Sequence, residues 1–155
     1  MKPRTVPGTG GRQKLEEDTF NSYIALQVAW QRLLIDNGST DGLSFGQINA
    51  ITAIRDHQPI PSRRLGQLLG ITPGAVTQLI DVLVKEGLVA RQENTKDRRV
   101  SELTLTEEGA SRLAWIMQRR RDTFVGFYKV LSDEEMSNLH FIIQKLLRHL
   151  ETVKK

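Results

Sequence analysis

The run Ser62-Arg63-Arg64-Leu65-Gly66-Gln67-Leu68-Leu69-Gly70-Ile71-Thr72-Pro73-Gly74-Ala75-Val76-Thr77-Gln78-Leu79-Ile80 reads as two short helices joined by a tight turn. Ser62 offers an N-cap for the first, which runs through Leu69 and stops at Gly70. Thr72-Pro73 reopens a helix in the favoured order, a capping hydroxyl followed by proline at the first helical position. The apolar face of this second helix is Val76, Leu79, Ile80 and Leu83, and it closes at Lys85-Glu86-Gly87. Two short helices that cross steeply need a very small residue in the first, because the second packs against its backbone. Gly66 fills that place, and Gly70 suits the tight turn. Leu65, Gly66, Gly70, Val76 and Leu79 therefore stand in the register of a helix-turn-helix.

Beyond Gly87 the period changes. Leu88-Val89 leads into the polar, turn-forming Asn94-Thr95-Lys96-Asp97, and Val100, Leu103 and Leu105 follow in an extended pattern. This is a β-hairpin with a charged tip. Thr106 caps a long helix reaching about Val130, and Ser132 with Glu135 forms a capping box for a last helix carrying Met136, Leu139, Ile143, Leu146 and Leu150. Upstream, Ser44 begins a helix with Phe45, Ile48, Ile51 and Ile54 on one face, ended by Pro59 and Pro61. A further helix runs from Lys14, with Phe20, Tyr23, Ile24, Trp30, Leu33 and Leu34 at spacings of three and four, until Asn37-Gly38. The first residues hold Pro3, Pro7, Gly8, Gly10 and Gly11 with Lys2 and Arg4, and read as a flexible basic arm. The expected fold is mainly α with a small β-hairpin wing. Its parts are an arm (1–13), an N-terminal helix (14–43), a winged helix-turn-helix lobe (44–106) and C-terminal helices (107–155).

The 155 residues suffice for one domain of ordinary size, and 39% hydrophobic against 26% charged residues favours a packed core over disorder. A formal net charge of +4 fits a polyanionic partner without requiring one. There is no cysteine, which excludes a disulfide framework, a thiolate metal site and sensing by thiol oxidation. No apolar run approaches the roughly 20 residues needed to cross a bilayer, so the expectation is a cytoplasmic protein with no membrane partner.

Ile71-Thr72-Pro73-Gly74-Ala75-Val76-Thr77, Leu79-Ile80-Asp81, Leu83, Lys85-Glu86-Gly87-Leu88-Val89, Arg91, Asp97-Arg98-Arg99 and Leu105-Thr106-Glu107-Glu108-Gly109 together resemble the MarR family of winged-helix regulators. The resemblance covers nearly the whole chain. It implies a homodimer whose terminal helices interdigitate, a recognition helix in the major groove and a wing arginine in the minor groove. In ligand-responsive members, an effector pocket lies between the dimer helices and the DNA-binding lobe.

The residues support the same reading on their own chemistry. Thr72, at a helix N-terminus, can donate to a phosphate where the helix dipole also favours an anion. Thr77 and Gln78 lie opposite Val76 and Leu79, free to reach base edges, and glutamine suits adenine. Gly74 and Ala75 stand where relatives often carry hydroxyls, so close approach or a thymine-methyl contact replaces a hydrogen bond there. Ser62, Arg63 and Arg64 are placed for backbone phosphates. At the wing, Asp97 can orient Arg99 while Lys96 and Arg98 supply charge. Arg63, Arg64, Lys96 and Arg98 also fit an ordinary solvated surface, and Arg99 fits one less well.

Other signals carry less. His57, His140 and His149 lack ligand spacing, so no metal or cofactor is expected. Arg119, Arg120 and Arg121 point in three directions on a helix and make no single patch. Arg120 continues the apolar stripe of Leu113, Met117, Phe124 and Phe127. It can snorkel, pair across a dimer or face an anionic ligand. Tyr23, Trp30, Phe45 and Trp115, with Arg120, are the candidate lining of an effector pocket; plain core is the competing reading. The expectation is a sequence-specific homodimeric regulator on a pseudo-palindromic double-stranded operator, a repressor relieved by a small aromatic or anionic effector. A non-specific architectural DNA binder and a winged-helix protein-interaction module are the rivals. No nucleophile–base pair or phosphate loop suggests an enzyme.

Overall fold

In a computed structural model, which describes residues 9–93 and 101–153, helices surround a three-stranded antiparallel sheet. The order is α1 (Thr9–Asp36), α2 (Phe45–His57), β1 (Ile60–Pro61), α3 (Ser62–Leu69), α4 (Pro73–Lys85), β2 (Val89–Glu93), β3 (Ser101–Leu105), α5 (Glu107–Phe127) and α6 (Asp133–Val153). A single 3₁₀ turn, Tyr128–Val130, separates α5 from α6. The expected fold class is the observed one. Among the described residues no single helix is long and apolar enough to cross a membrane.

Local chemistry sets most boundaries where the sequence places them. Ser44 and Gln47 form a reciprocal capping box at α2, with Ser44 N–H donating to Gln47 Oε1 at 2.7 Å and Gln47 N–H to Ser44 Oγ at 3.2 Å. The same device opens α6, where the Ser132 N–H donates to Glu135 Oε2 at 2.9 Å. Thr106 caps α5 by accepting from Gly109 N–H at 2.9 Å, while its hydroxyl donates to the Gly87 carbonyl at 2.6 Å. That second bond ties the start of α5 to the end of α4. At Gly109 a Cβ would collide with the Leu88 carbonyl, whose carbon would lie only 2.9 Å away, so no larger residue fits.

Several expectations are corrected. The helix α1 starts at Thr9, not Lys14, so Gly10 and Gly11, expected in the arm 1–13, are helical. Ser62 is the first residue of α3 rather than its cap; Pro61 holds the cap position and offers no side-chain bond. The segment after α2 contains β1, whose Ile60 pairs with Leu103 and Pro61 with Glu102. The helix α5 ends at Phe127, and the residues to Val130 tighten into the 3₁₀ turn.

The sheet order is β1-β3-β2, with Val89 opposite Leu105 and Arg91 opposite Leu103. Its inner face closes over one core: Ile48, Ile51 and Ile54 of α2, Leu65 of α3, Val76, Ile80 and Leu83 of α4, and Leu113 and Ile116 of α5, all essentially inaccessible. Each such side chain contributes about 1.5–3 kcal/mol by burial. The turn before α2 is pinned to α5 through Ser39 Oγ and Thr123 Oγ1 at 3.0 Å. Arg112 clasps the same turn, donating to Asp41 Oδ2 at 2.6 Å and to its carbonyl at 2.7 Å, with Glu86 at 3.6 Å.

Candidate nucleic-acid interface

The chain bends by 109° between α3 and α4, within the range of helix-turn-helix units. Gly66 makes that crossing possible. A Cβ there would stand 2.8 Å from Val76 Cγ2 and 3.4 Å from the Ile71 carbonyl oxygen. Gly70 takes the left-handed conformation at φ 65° that ends α3, and Ile71 N–H returns to the Gly66 carbonyl at 3.1 Å.

Burying Val76, Ile80 and Leu83 turns the opposite side of α4 outward. Thr72, Pro73, Gly74, Thr77 and Gln78 are exposed, and Ala75 is half-buried. Thr72 Oγ1 accepts from Ala75 N–H at 3.3 Å, which leaves its hydroxyl proton free to donate outward. Thr77 differs. Its hydroxyl donates to the Pro73 carbonyl at 3.1 Å, so in this rotamer it faces a partner as an acceptor. Of the expected phosphate contacts, Arg63 and Arg64 are exposed and Ser62 is half-buried; Arg64 also reaches Gln67 Oε1 at 3.4 Å. Between α3 and α4 lies an open hollow of about 580 Å³, with Ser62, Arg63, Gln67, Ile71, Pro73 and Thr77 on its walls. The wing residues Lys96, Asp97, Arg98 and Arg99 lie outside the described residues.

One link between α4 and β2 escapes a reading by spacing. Arg91 on β2 donates to Asp81 on α4 at 2.6 Å, with both groups substantially exposed. The pair ties the two prospective DNA-facing elements together; as a surface ion pair it contributes about 0–1 kcal/mol.

The aromatic candidates do not converge. Tyr23 and Trp30 line a shallow hollow of about 210 Å³ with Phe124 and Tyr128. Trp30 packs against Phe124 and Phe127 at 6.1 and 5.4 Å between ring centroids. Phe45 lies elsewhere, beneath the Arg120 guanidinium at 5.2 Å. Trp115 is 46% exposed and stacks under Arg119 at 5.7 Å. Arg120 is the chemically unsettled member. Among the described residues its Nε and Nη2 are buried with no hydrogen-bond partner, and burial pushes its guanidinium below the ordinary arginine value. Among the described residues no group of three His, Cys, Asp or Glu could hold a metal ion.

Known proteins share this geometry. A family model described as the MarR family matches residues 41–100. The HTH-type transcriptional repressor MdtR of Bacillus subtilis (strain 168) is 28% identical over 135 residues, spanning 85% of this chain and 87% of that protein. The crystal structure of YusO from Bacillus subtilis aligns with a TM-score of 0.72 at 28% identity, over 88% of this chain and 96% of that one. A mutant MarR from Escherichia coli complexed with operator DNA aligns with a TM-score of 0.64 at 28% identity, over 83% and 97%.

Proposed function

We propose that this chain is a winged-helix protein of the MarR family, a DNA-binding transcriptional regulator and not an enzyme. The observation that carries this reading is the steep α3–α4 crossing. It buries Val76, Ile80 and Leu83 while leaving Thr72, Thr77 and Gln78 exposed on one side of α4. In this reading α4 enters the major groove, where Gln78 and Thr77 address base edges and Gly74 and Ala75 permit close approach. Ser62, Arg63, Arg64 and Thr72 hold phosphates. The wing, residues 89–105, brings Arg99 to the minor groove, oriented by Asp97 and flanked by Lys96 and Arg98.

The finer reading is a cytoplasmic homodimer on a pseudo-palindromic operator, with residues 14–43 and 107–155 as the dimerising parts around the lobe 44–106. Its support is the apolar surface that α1 and α6 leave open, including Phe20 at 61% exposure and Leu146 at 58%. An interface of roughly 2,000 Å² suits that surface. Two recognition helices then meet half-sites about 34 Å apart. Repression relieved by a small anionic or aromatic effector is the regulatory part of the proposal, supported by the unpartnered guanidinium of Arg120 over Phe45.

The test is recovery of bound fragments from sheared genomic DNA, followed by anisotropy titrations on the recovered duplex and its scrambled counterpart. A preference of at least about 10³ for the recovered sequence is expected. Equal affinity would make the protein an architectural binder, and no binding would overturn the reading altogether.

A further inference from the structure

The exposed side of α4 begins without charge: Thr72, Pro73, Gly74, Thr77 and Gln78 are all neutral. Asp81 is the first charged residue along that side, four positions after Thr77 and three after Gln78, and it is exposed like them. In the DNA-binding reading a carboxylate there repels the polyanion that the chain, at a formal net charge of +4, otherwise attracts. The acid is not left alone. Arg91 of β2 donates to Asp81 Oδ1 at 2.6 Å, so the two charges cancel at the surface. The cations of α3 stand differently. Arg63 and Arg64 are exposed, Arg64 reaches the neutral amide of Gln67 at 3.4 Å, and neither forms an ion pair among the described residues. Two arginines are thus left open to phosphate while a third is held by an acid.

We propose that Asp81 is a specificity-determining residue that restrains non-specific DNA binding by holding Arg91 off the phosphate backbone. This rests on the DNA-binding reading above and deepens it. Sequence-independent affinity comes from cations that displace counterions from phosphates, each adding about one unit to the slope of log affinity against log salt. A loosely held duplex gains from every arginine free to reach it. The operator complex is seated by base-edge contacts as well, and there Arg91 is needed only where Asp81 holds it. Releasing Arg91 therefore favours wrong sequences more than the right one. The pair is too exposed to matter much for folding, whereas removing its negative charge changes the field that DNA meets.

Two controls separate this role from charge alone. The double variant Asp81→Asn with Arg91→Gln removes both charges and keeps the net charge of the chain. Asp56→Asn releases Arg55 from a similarly exposed pair, at 2.8 Å near the end of α2, outside α3, α4 and β2.

The experiment titrates operator and scrambled duplex by anisotropy at several salt concentrations, with thermal unfolding of the free chains, for wild type, Asp81→Asn and both controls. Asp81→Asn is expected to melt near wild type and to bind scrambled duplex about threefold or more tighter, with a salt slope steeper by about one unit. Its operator binding tightens less, so the ratio of the two affinities falls. The double variant returns the slope to the wild-type value, and Asp56→Asn leaves it there. Weaker or unchanged binding of Asp81→Asn to scrambled duplex would make the pair a strut that only fixes β2 against α4, and overturn the assignment. Equal tightening on both duplexes, or a steeper slope that persists in the double variant or appears in Asp56→Asn, would reduce Asp81 to a plain repulsive charge and overturn it as well. If the wild-type chain discriminates no duplex, the regulator reading fails first, and this assignment falls with it.

Discussion

The winged lobe and the terminal helices answer the same physical demand in opposite ways. From α2 to β3 the chain buries most of its large apolar side chains against one another, and Ile51, Ile54, Leu65, Leu83 and Leu103 are all at 0% exposure. The helix α6, of 21 residues, contains no buried residue, and Phe141, Ile142, Ile143, Leu146, Leu147 and Leu150 all face outward. In α1 the only fully buried apolar side chain among the described residues is Leu34. Isolated helices gain most of their stability from packing an apolar face. The core of the lobe thus closes within one chain, whereas the terminal helices leave apolar faces open. In the proposed dimer a second copy covers those faces.

Breaking the second half of this contrast gives the largest expected effect. Ile143→Asp combined with Leu146→Asp places charges on the open face of α6. The variant is expected to run as a monomer in light scattering, with the lobe still folded. Operator affinity should fall on the order of 10²–10⁴-fold as the two lobes lose their linkage. A variant that stays dimeric would move the interface off α6. Breaking the first half gives the next effect. Gly109→Ala drives a methyl group into the Leu88 carbonyl and should cost about 1–3 kcal/mol or more of stability, read by thermal melting, without changing the oligomeric state.

The same contrast explains what was legible in the sequence. The crossing at Gly66, the caps at Thr72, Thr106 and Ser132, and the β2–β3 hairpin depend on residues a few positions apart. Local chemistry announces them. The Asp81–Arg91 and Arg112–Asp41 pairs join residues that only the finished fold brings together, and a two-residue strand at Ile60–Pro61 is too short to show a period. Ser62 suits a cap by type, yet Pro61 holds the extended backbone that precedes α3 and Ser62 is already helical. Gly10 and Gly11 look like a breaker although they are helical. For the site, the exposed face of α4 was readable from helical spacing. The separation of Phe45 and Arg120 from Tyr23 and Trp30 was not, since four aromatic residues on three helices carry no record of which ones meet.

Smaller effects sharpen the boundary between the two regions. Arg120 reaches from α5 over Phe45 of α2, so Arg120→Met should leave operator affinity intact and abolish release by an anionic aromatic effector, measured by anisotropy with benzoate-type probes. A loss of thermal stability without any effector would instead assign the guanidinium to a contact between copies. The smallest effect belongs to the cap of α6. Bonds from the Ser132 backbone and hydroxyl hold the Glu135 carboxyl below its ordinary value. Its contribution is therefore present above the usual carboxylate range and lost as pH falls through the lowered value. Ser132→Ala should melt slightly earlier than wild type at neutral pH, and the gap should narrow in acid without closing, because the bond from Glu135 N–H to Ser132 Oγ does not titrate.

Sedimentation of the chain with its recovered operator, at stoichiometric and excess protein, tests the central claim most directly because it interrogates both regions at once. The account predicts two chains per duplex, bound together, with protected half-sites centred about one helical turn apart. One chain per duplex, or the same complexes on a scrambled sequence, would contradict it.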